Sequence, residues 1–378
     1  MRRESLRFAQ KFQRVQANNF TSPLWRKQVI FLSVMAEAII FSVCCGGSKY
    51  FFSAVIVYNA MEIVKHLNLD NQEIKTYQAK PCVIAMGTFD GLHKGHRDVI
   101  DAAASYARTN QLRLAVFTFS NHPYAAIHPS AIPQALISPE EKVRLLKRWG
   151  VDLLIDVPFN RQLSLLSPDD FLEKLRHFNF SCLVCGTNFS YGFKGTGNTE
   201  SLAKSGREQG FDVIIRPLLE YKNRIISSTR IRRAIAEGNL RDAEYMLGRF
   251  CSVQGTVHQG FKRGRTLGFP TANLYVNRNG SALPPAGVYA LQVRDGEKMY
   301  NGVGNLGMNP TFDDVVREVL EVHLFGCNED LYGHVLETSF CRFLRNERRF
   351  SSLHELKAQL EKDKSDALAW FTAQDGEQ

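Results

Sequence analysis

Apolar positions along the chain keep three different rhythms. Before residue 60 they run almost unbroken, from Val29 to Val43 and again from Tyr50 to Tyr58, behind a basic stretch holding Arg2, Arg3, Arg7, Lys11, Arg14, Arg26 and Lys27. The first run falls short of the ~20 apolar residues that span hydrocarbon, and a glutamate near its centre, Glu37, would cost about 2 to 3 kcal/mol there. Ser42-Val43-Cys44 fits neither a signal-peptide cleavage site nor a good lipobox. Residues 1–60 are read as an atypical N-terminal extension, with three origins in order of preference: a start-site artefact in which translation begins at Met61, a membrane tether, or an extra helical hairpin on the surface.

From Met61 the patterning is strong. Short apolar runs, Pro81 to Met86, Leu112 to Phe119, Leu153 to Val157, Cys182 to Cys185 and Val213 to Ile215, alternate with amphipathic stretches such as Glu140 to Trp149. That alternation predicts an open α/β sheet with crossover helices over residues 61–245. After Leu247 the rhythm changes to short strands punctuated by Gly, Pro and Asn: Cys251 to His258, Gly287 to Val293, Tyr300 to Val303, Val319 to Phe325 and Val335 to Leu344. This spacing predicts a small β-barrel over residues 246–378, closed by an amphipathic helix beginning at Leu353. A length of 378 residues suits two or three such domains.

The first strand-to-helix turn of an open α/β sheet binds phosphates, because free amides and the helix dipole both favour anions. Here that turn is Gly87-Thr-Phe-Asp-Gly-Leu-His-Lys-Gly-His96. His93 and His96 lie three apart and face the same way on an opening helical turn, so both rings can donate to one phosphate. Gly91 and Gly95 allow a tight turn and close backbone approach, and the Phe89-Asp90 turn converges on the same place. A bare pair of histidines would read as surface residues; this setting favours chemistry.

The loop GTFDGLHKGH resembles the signature of the HxGH nucleotidylyltransferases. Phe117-Thr-Phe-Ser-Asn-His-Pro123, Gly186-Thr-Asn-Phe-Ser-Tyr-Gly192 and Ile226-Ser-Ser-Thr-Arg-Ile-Arg232 further resemble the FAD synthetase module of the bacterial bifunctional riboflavin kinase/FAD synthetases. The resemblance implies attack of the FMN phosphate on the α-phosphorus of ATP, with pyrophosphate leaving. It makes His93 and His96 catalytic and puts Gly87, Phe89, Asp90, Gly95, Asn188, Ser228, Thr229 and Arg232 around the ATP phosphates. Ser227, Ser228 and Thr229 can cap the helix that follows; Arg230 is an equally good exposed helix residue. One departure stands out: after Gly192 the family usually carries an arginine-containing turn, whereas this chain has Phe193-Lys-Gly-Thr-Gly197. A lysine point charge does not replace an arginine fork.

In the second region Gly302-Val-Gly-Asn-Leu-Gly307 matches GxGxxG, but Pro310 follows closely and no helix-forming stretch comes next, so it is not a dinucleotide turn. The phosphate device is instead Gly260-Phe-Lys-Arg-Gly-Arg-Thr-Leu-Gly-Phe-Pro-Thr-Ala-Asn273, where Gly264 and Gly268 leave amides free. Thr271 and Asn273 share a face of an extended segment and offer hard oxygens suited to Mg²⁺. On Val319-Leu-Glu-Val-His-Leu-Phe325, Glu321 and His323 point to one side; a carboxylate there can accept the proton of an attacking hydroxyl, although the strand alone would leave Glu321 as a solvent-facing residue. GRTLGFPTANL, PAGVYA, NPTF, LEVHLF, Asp330-Leu-Tyr-Gly333 and Phe343-Leu-Arg-Asn-Glu347 resemble, in order, the riboflavin kinase module. That resemblance implies Mg-ATP on Thr271 and Asn273, Glu321 as the base, and lesser pocket roles for Asn305 and Arg345.

By these resemblances, which cover nearly everything after Met61, the chain is identified as a member of a family that converts riboflavin to FMN and FMN to FAD, with ATP, riboflavin and FMN as small-molecule partners and Mg²⁺ as cofactor. A kinase with impaired adenylylation and a non-catalytic flavin-binding regulator are the competing readings. The net charge of +9 also fits nucleic acid or an anionic membrane, but no basic tract interleaved with aromatics appears, and nucleotide substrates account for it. Eight scattered cysteines argue against a disulfide framework and for a reducing, cytoplasmic compartment; Cys182-Leu-Val-Cys185 reads as a buried strand rather than half a zinc site.

Overall fold

Runs that are apolar on both faces pair only where both faces are covered, and this sets the first half of the fold. The computed structural model describes residues 28–35, 38–45, 56–58, 61–68, 71–123, 132–259, 268–276, 278, 280–310 and 316–375. Strands β1 (Gln28–Met35), β2 (Ala38–Cys45) and β3 (Ile56–Tyr58) form an antiparallel ribbon. Strands β4 (Met61–Val64), β5 (Cys82–Met86), β6 (Arg113–Phe119), β7 (Leu153–Val157) and β8 (Phe180–Gly186) follow. Two-residue pairings β9 (Ser190–Tyr191) with β10 (Gly197–Asn198), and β12 (Glu220–Tyr221) with β13 (Arg224–Ile225), flank β11 (Asp212–Arg216). One sheet runs β1-β2-β3-β4-β7-β6-β5-β8-β11, parallel from β4 onward.

The ribbon corrects the expectation of a helical hairpin before Met61. Gln28–Met35 and Ala38–Cys45 pair as antiparallel strands rather than as helices, consistent with their Val, Ile and Phe content, which favours pleated pairing. Among the described residues no helix is long and apolar enough to cross a membrane.

Residues Cys82–Met86 are buried throughout, and the helix Lys94–Asn110 covers them with Val99, Ile100, Ala103, Ala104 and Ala107. The helices Pro139–Arg148, Pro168–Arg176 and Thr199–Gln209 start on side-chain caps from Ser138, Ser167 and Asn198.

The second half closes into a barrel in the order β14 (Cys251–His258), β15 (Ala272–Tyr275), β18 (Val316–Leu324), β17 (Lys298–Pro310), β16 (Gly287–Asp295) and β19 (Val335–Arg345). The GxGxxG match lies inside β17. Leu274, Leu291, Leu306, Leu320, Val322 and Leu336 fill the interior, and the helices Ser228–Ala236 and Leu240–Leu247 pack into the same core. A terminal helix, Leu353–Asp375, lies on β16, β17 and β19. Buried charges stitch the halves together: Glu141, only 3% exposed, accepts from Arg249 Nε at 2.8 Å and Ser252 Oγ at 2.7 Å. Arg144 forks onto both oxygens of Glu337 at 2.6 and 2.7 Å.

Candidate active sites

Loop 87–96 leaves the carboxyl end of β5, the end at which parallel sheets bind ligands. Its path is tight: Phe89, Gly91 and Leu92 all take positive φ, and a Cβ on Gly91 would meet Leu136 at 2.8 Å. The buried Thr118 fixes the loop to β6 by donating to the Thr88 carbonyl at 2.8 Å.

His93 is the N-cap of the helix Lys94–Asn110, and its Nδ1 accepts from the His96 amide at 3.3 Å. An Nδ1 that accepts leaves the ring proton on Nε2, so the cap selects the tautomer. The two imidazoles stack at 3.6 Å between centroids and 15° between planes, with the Phe89 ring edge-on to His96 at 5.3 Å. Burial pushes the pKa of His93 down to about 4, and burial, His93 and Lys142 push His96 the same way. His96 Nδ1 is sealed from solvent without a hydrogen-bond partner. Two neutral rings, one with an orphaned nitrogen, suit an incoming anion that repays their desolvation.

Around the pair, Arg232 donates to Asp90 at 2.7 Å and to the Gln134 carbonyl at 2.5 Å, so its charge is already matched by a carboxylate. Ser227 caps the helix Ser228–Ala236, while Ser228 donates to the Asp90 carbonyl at 2.9 Å and Thr229 is exposed. Arg230 ties down the Arg224 and Ile225 carbonyls. Asn188 is exposed beyond the carboxyl end of β8, with its Oδ1 3.0 Å from where a Gly186 Cβ would stand. Gly87 packs beneath the Phe89 ring, and a Cβ on Gly95 would press on the His93 ring at 3.2 Å. In the departing turn, Lys194 adopts φ 53° within the helical turn Phe193–Gly195.

Sequence reasoning passed over two charged residues at this sheet edge. Lys142 donates to the Phe119 carbonyl at 3.2 Å, and burial pushes its pKa down against the opposing pull of Asp156 and Asp90. Asp156, 6% exposed, pairs with Lys65 at 2.5 Å and keeps one oxygen unpartnered. No local motif marks either residue; the fold brings Lys142 to where its charge acts on His96, with Asp156 acting on Lys142 in turn.

On the barrel, the register sets Asn273 of β15 opposite Glu321 of β18, and Glu321 opposite Asn305 of β17. The neighbours Leu274, Leu320 and Leu306 point into the core, so this polar row faces outward. Thr271 is half-buried and lies just before β15. Asn305 donates to Glu347 at 2.7 Å. Arg345 is bound to the buried Asp363 of the terminal helix at 2.7 and 2.9 Å, which makes it a brace between barrel and helix. Gly268 takes φ +81° in the turn before Phe269, while Gly264 lies outside the described residues.

A polar chain runs from the first site to strand β18 of the barrel. Beyond Arg232, Gln134 Nε2 donates to the Arg278 carbonyl at 2.7 Å, and Arg278 forks onto Glu318 of β18 at 2.5 and 2.9 Å.

A family model for FAD synthetase matches residues 75–230, and one for riboflavin kinase matches residues 247–371. A bifunctional riboflavin kinase/FMN adenylyltransferase of Bacillus subtilis (strain 168) is 37% identical over 311 residues, covering 81% of this chain and 98% of the relative. The Escherichia coli (strain K12) protein of the same description is 38% identical over 293 residues, covering 77% and 93%. A crystal structure described as a macrolide-efflux protein from Streptococcus pneumoniae superposes with a TM-score of 0.70 at 31% identity, covering 80% of this chain and 97% of that one. The likeness to it carries the fold; the transport in its description is said of that protein.

Proposed function

The chain belongs to the bifunctional riboflavin kinase/FMN adenylyltransferase family, and we propose that its two reactions run at the two clusters described above. We assign phosphorylation to residues 246–378 and adenylylation to residues 61–245, with residues 1–60 an N-terminal extension whose strands β1–β3 add to the edge of the adenylylation sheet. The family models, matching 75–230 and 247–371, support this partition.

In the kinase half the terminal ribityl hydroxyl of riboflavin attacks the γ-phosphorus of ATP. Glu321 takes the hydroxyl proton, the bond from the γ-phosphorus to the bridging oxygen breaks, and ADP departs with FMN left behind. Thr271 and Asn273 supply neutral oxygens beside one carboxylate, a hard donor set that fits Mg²⁺ leaning on substrate phosphates. When bound there, Mg²⁺ neutralises phosphate charge and orients the triphosphate.

In the other half an FMN phosphate oxygen attacks the α-phosphorus of a second ATP, and pyrophosphate leaves as FAD forms. His93 Nε2 and His96 donate to the α-phosphate oxygens where charge builds, within the frame set by Gly87, Phe89, Asp90 and Gly95. Ser228, Thr229, Arg232 and Asn188 line the rim for the remaining phosphates. Arg232 acts with Asp90 as a unit, since the two are already paired. The compartment we infer is the cytoplasm, supported by free thiols at Cys82, Cys182, Cys185, Cys251, Cys327 and Cys341.

The observation that carries the proposal is the pair of separate constellations, stacked His93 and His96 in one and Asn273 opposite Glu321 in the other. Glu321→Gln is expected to abolish FMN formation from riboflavin while FAD still forms from supplied FMN, read by chromatography of the flavins. Loss of both products, or undiminished phosphorylation, would refute the assignment.

A further inference from the structure

Strand β18 carries a histidine for which the reaction scheme has no role. His323 follows Glu321 by two residues, so both side chains stand on the outer face of the barrel. Its Nδ1 lies 2.9 Å from the carbonyl oxygen of Pro270. A carbonyl only accepts, so Nδ1 holds the proton and donates. Burial lowers the pKa of the ring below the ordinary histidine value.

The position of that bond matters more than its strength. The ladder between β15 and β18 begins at Ala272 opposite Val322 and runs on to Tyr275. Thr271 therefore sits one residue outside the ladder, and Pro270 before it has no N–H to offer. The Pro270 carbonyl lies just beyond the ladder, and His323 of β18 bonds to it there. Two rings fix the imidazole: Phe269, 7% exposed, meets it at 5.3 Å and 62°, and Phe325 at 5.8 Å and 66°. The clamp thus joins the strand bearing Glu321 to the residue immediately preceding Thr271.

We propose that His323 is a positioning residue for riboflavin phosphorylation: its bond to the Pro270 carbonyl sets where Thr271 stands relative to Glu321, and so where the cation and phosphate end of ATP lies relative to the base. The inference rests on the assignment of Thr271, Asn273 and Glu321 made above.

Two substitutions separate the donor from the ring. His323→Asn places an amide N–H near the Nδ1 position without the ring, whereas His323→Phe keeps a ring between Phe269 and Phe325 without the donor. Riboflavin phosphorylation is followed on the full chain with Mg-ATP varied, and adenylylation of supplied FMN on the same preparation reports folding. His323→Phe is expected to raise KM for Mg-ATP and lower kcat/KM about tenfold, the scale of one lost hydrogen bond. His323→Asn should recover to within about threefold of the parent, and both variants should adenylylate FMN at the parent rate. An active Phe variant, or an Asn variant as impaired as Phe, overturns the proposal, because packing alone would then decide the outcome. Thr271→Val in the same assay keeps the two ideas apart: if it phosphorylates normally, the underlying site assignment fails; if it is inactive while the histidine pair shows no crossover, only the clamp fails.

Discussion

Replacing His93 by asparagine separates two jobs that one imidazole performs. In the structure Nδ1 caps the helix Lys94–Asn110 by accepting from the His96 amide, which leaves the ring proton on Nε2, the atom proposed above to meet the phosphate. Asparagine is among the best N-caps, so its side-chain oxygen takes over the first job, and the ~1 kcal/mol that an alanine would forfeit is largely retained. The second job is lost, because the shorter amide does not present a donor where Nε2 stood. A single donor aimed at developing charge is worth about 3 kcal/mol, which at 1.36 kcal/mol per decade is roughly a hundredfold in rate. His93→Asn should therefore slow FAD formation from FMN about a hundredfold, leave FMN formation from riboflavin within twofold, and leave the melting temperature nearly unchanged. Both rates come from one chromatographic assay with either flavin as substrate, and the melting curve from the same sample. Adenylylation within threefold of the parent would show that His93 serves the fold and not the phosphate; equal loss of both activities would show that the sites are not independent.

Two further outcomes test the frame around the sites. Glu141 is 3% exposed between Arg249 and Ser252, so Glu141→Ala leaves the half-buried Arg249 guanidinium without its carboxylate and should cost about 2 to 3 kcal/mol by chemical denaturation; a cost below about 1 kcal/mol would mean that solvent reaches the pair. The pKa of His93 is depressed to about 4 in the folded chain against about 6.5 unfolded, so between these values the unfolded state binds the extra proton. The His93 contribution to stability is whole above pH 6.5 and declines as pH falls toward 4, by about 3 kcal/mol at most. Melting temperatures of the parent should accordingly fall more steeply than those of His93→Asn between pH 7 and pH 5, and parallel curves would contradict the depressed pKa.

Much of this molecule is written locally. The apolar runs at Cys82–Met86 and Leu153–Val157 have the length and two-sided burial of parallel strands, and the Gly-rich loop before His96 announces a phosphate turn at the first crossover. Thr271 and Asn273, two apart, face one way in any extended segment, and so do Glu321 and His323. Short-range periodicity determines such facts because it depends only on the backbone repeat. Other features needed the assembled chain. Val29 to Val43 has the apolar content of a buried helix or a strand, and pairing with its own second half settles it as β1 and β2. Arg232 reads as a free phosphate cation until Asp90, distant in sequence, is found to hold it. Lys142 and Asp156 belong to no motif; folding brings Lys142, on the helix Pro139–Arg148, to where it acts on His96, and Asp156 to where it acts on Lys142. The register that sets Asn273 and Asn305 on either side of Glu321, and the bond from His323 to Pro270, arise when strands distant in sequence close a barrel. A sequence fixes which face each side chain takes along its own strand; which partner it meets across the sheet depends on packing and loop closure over the whole domain, and that is what assembled both candidate sites.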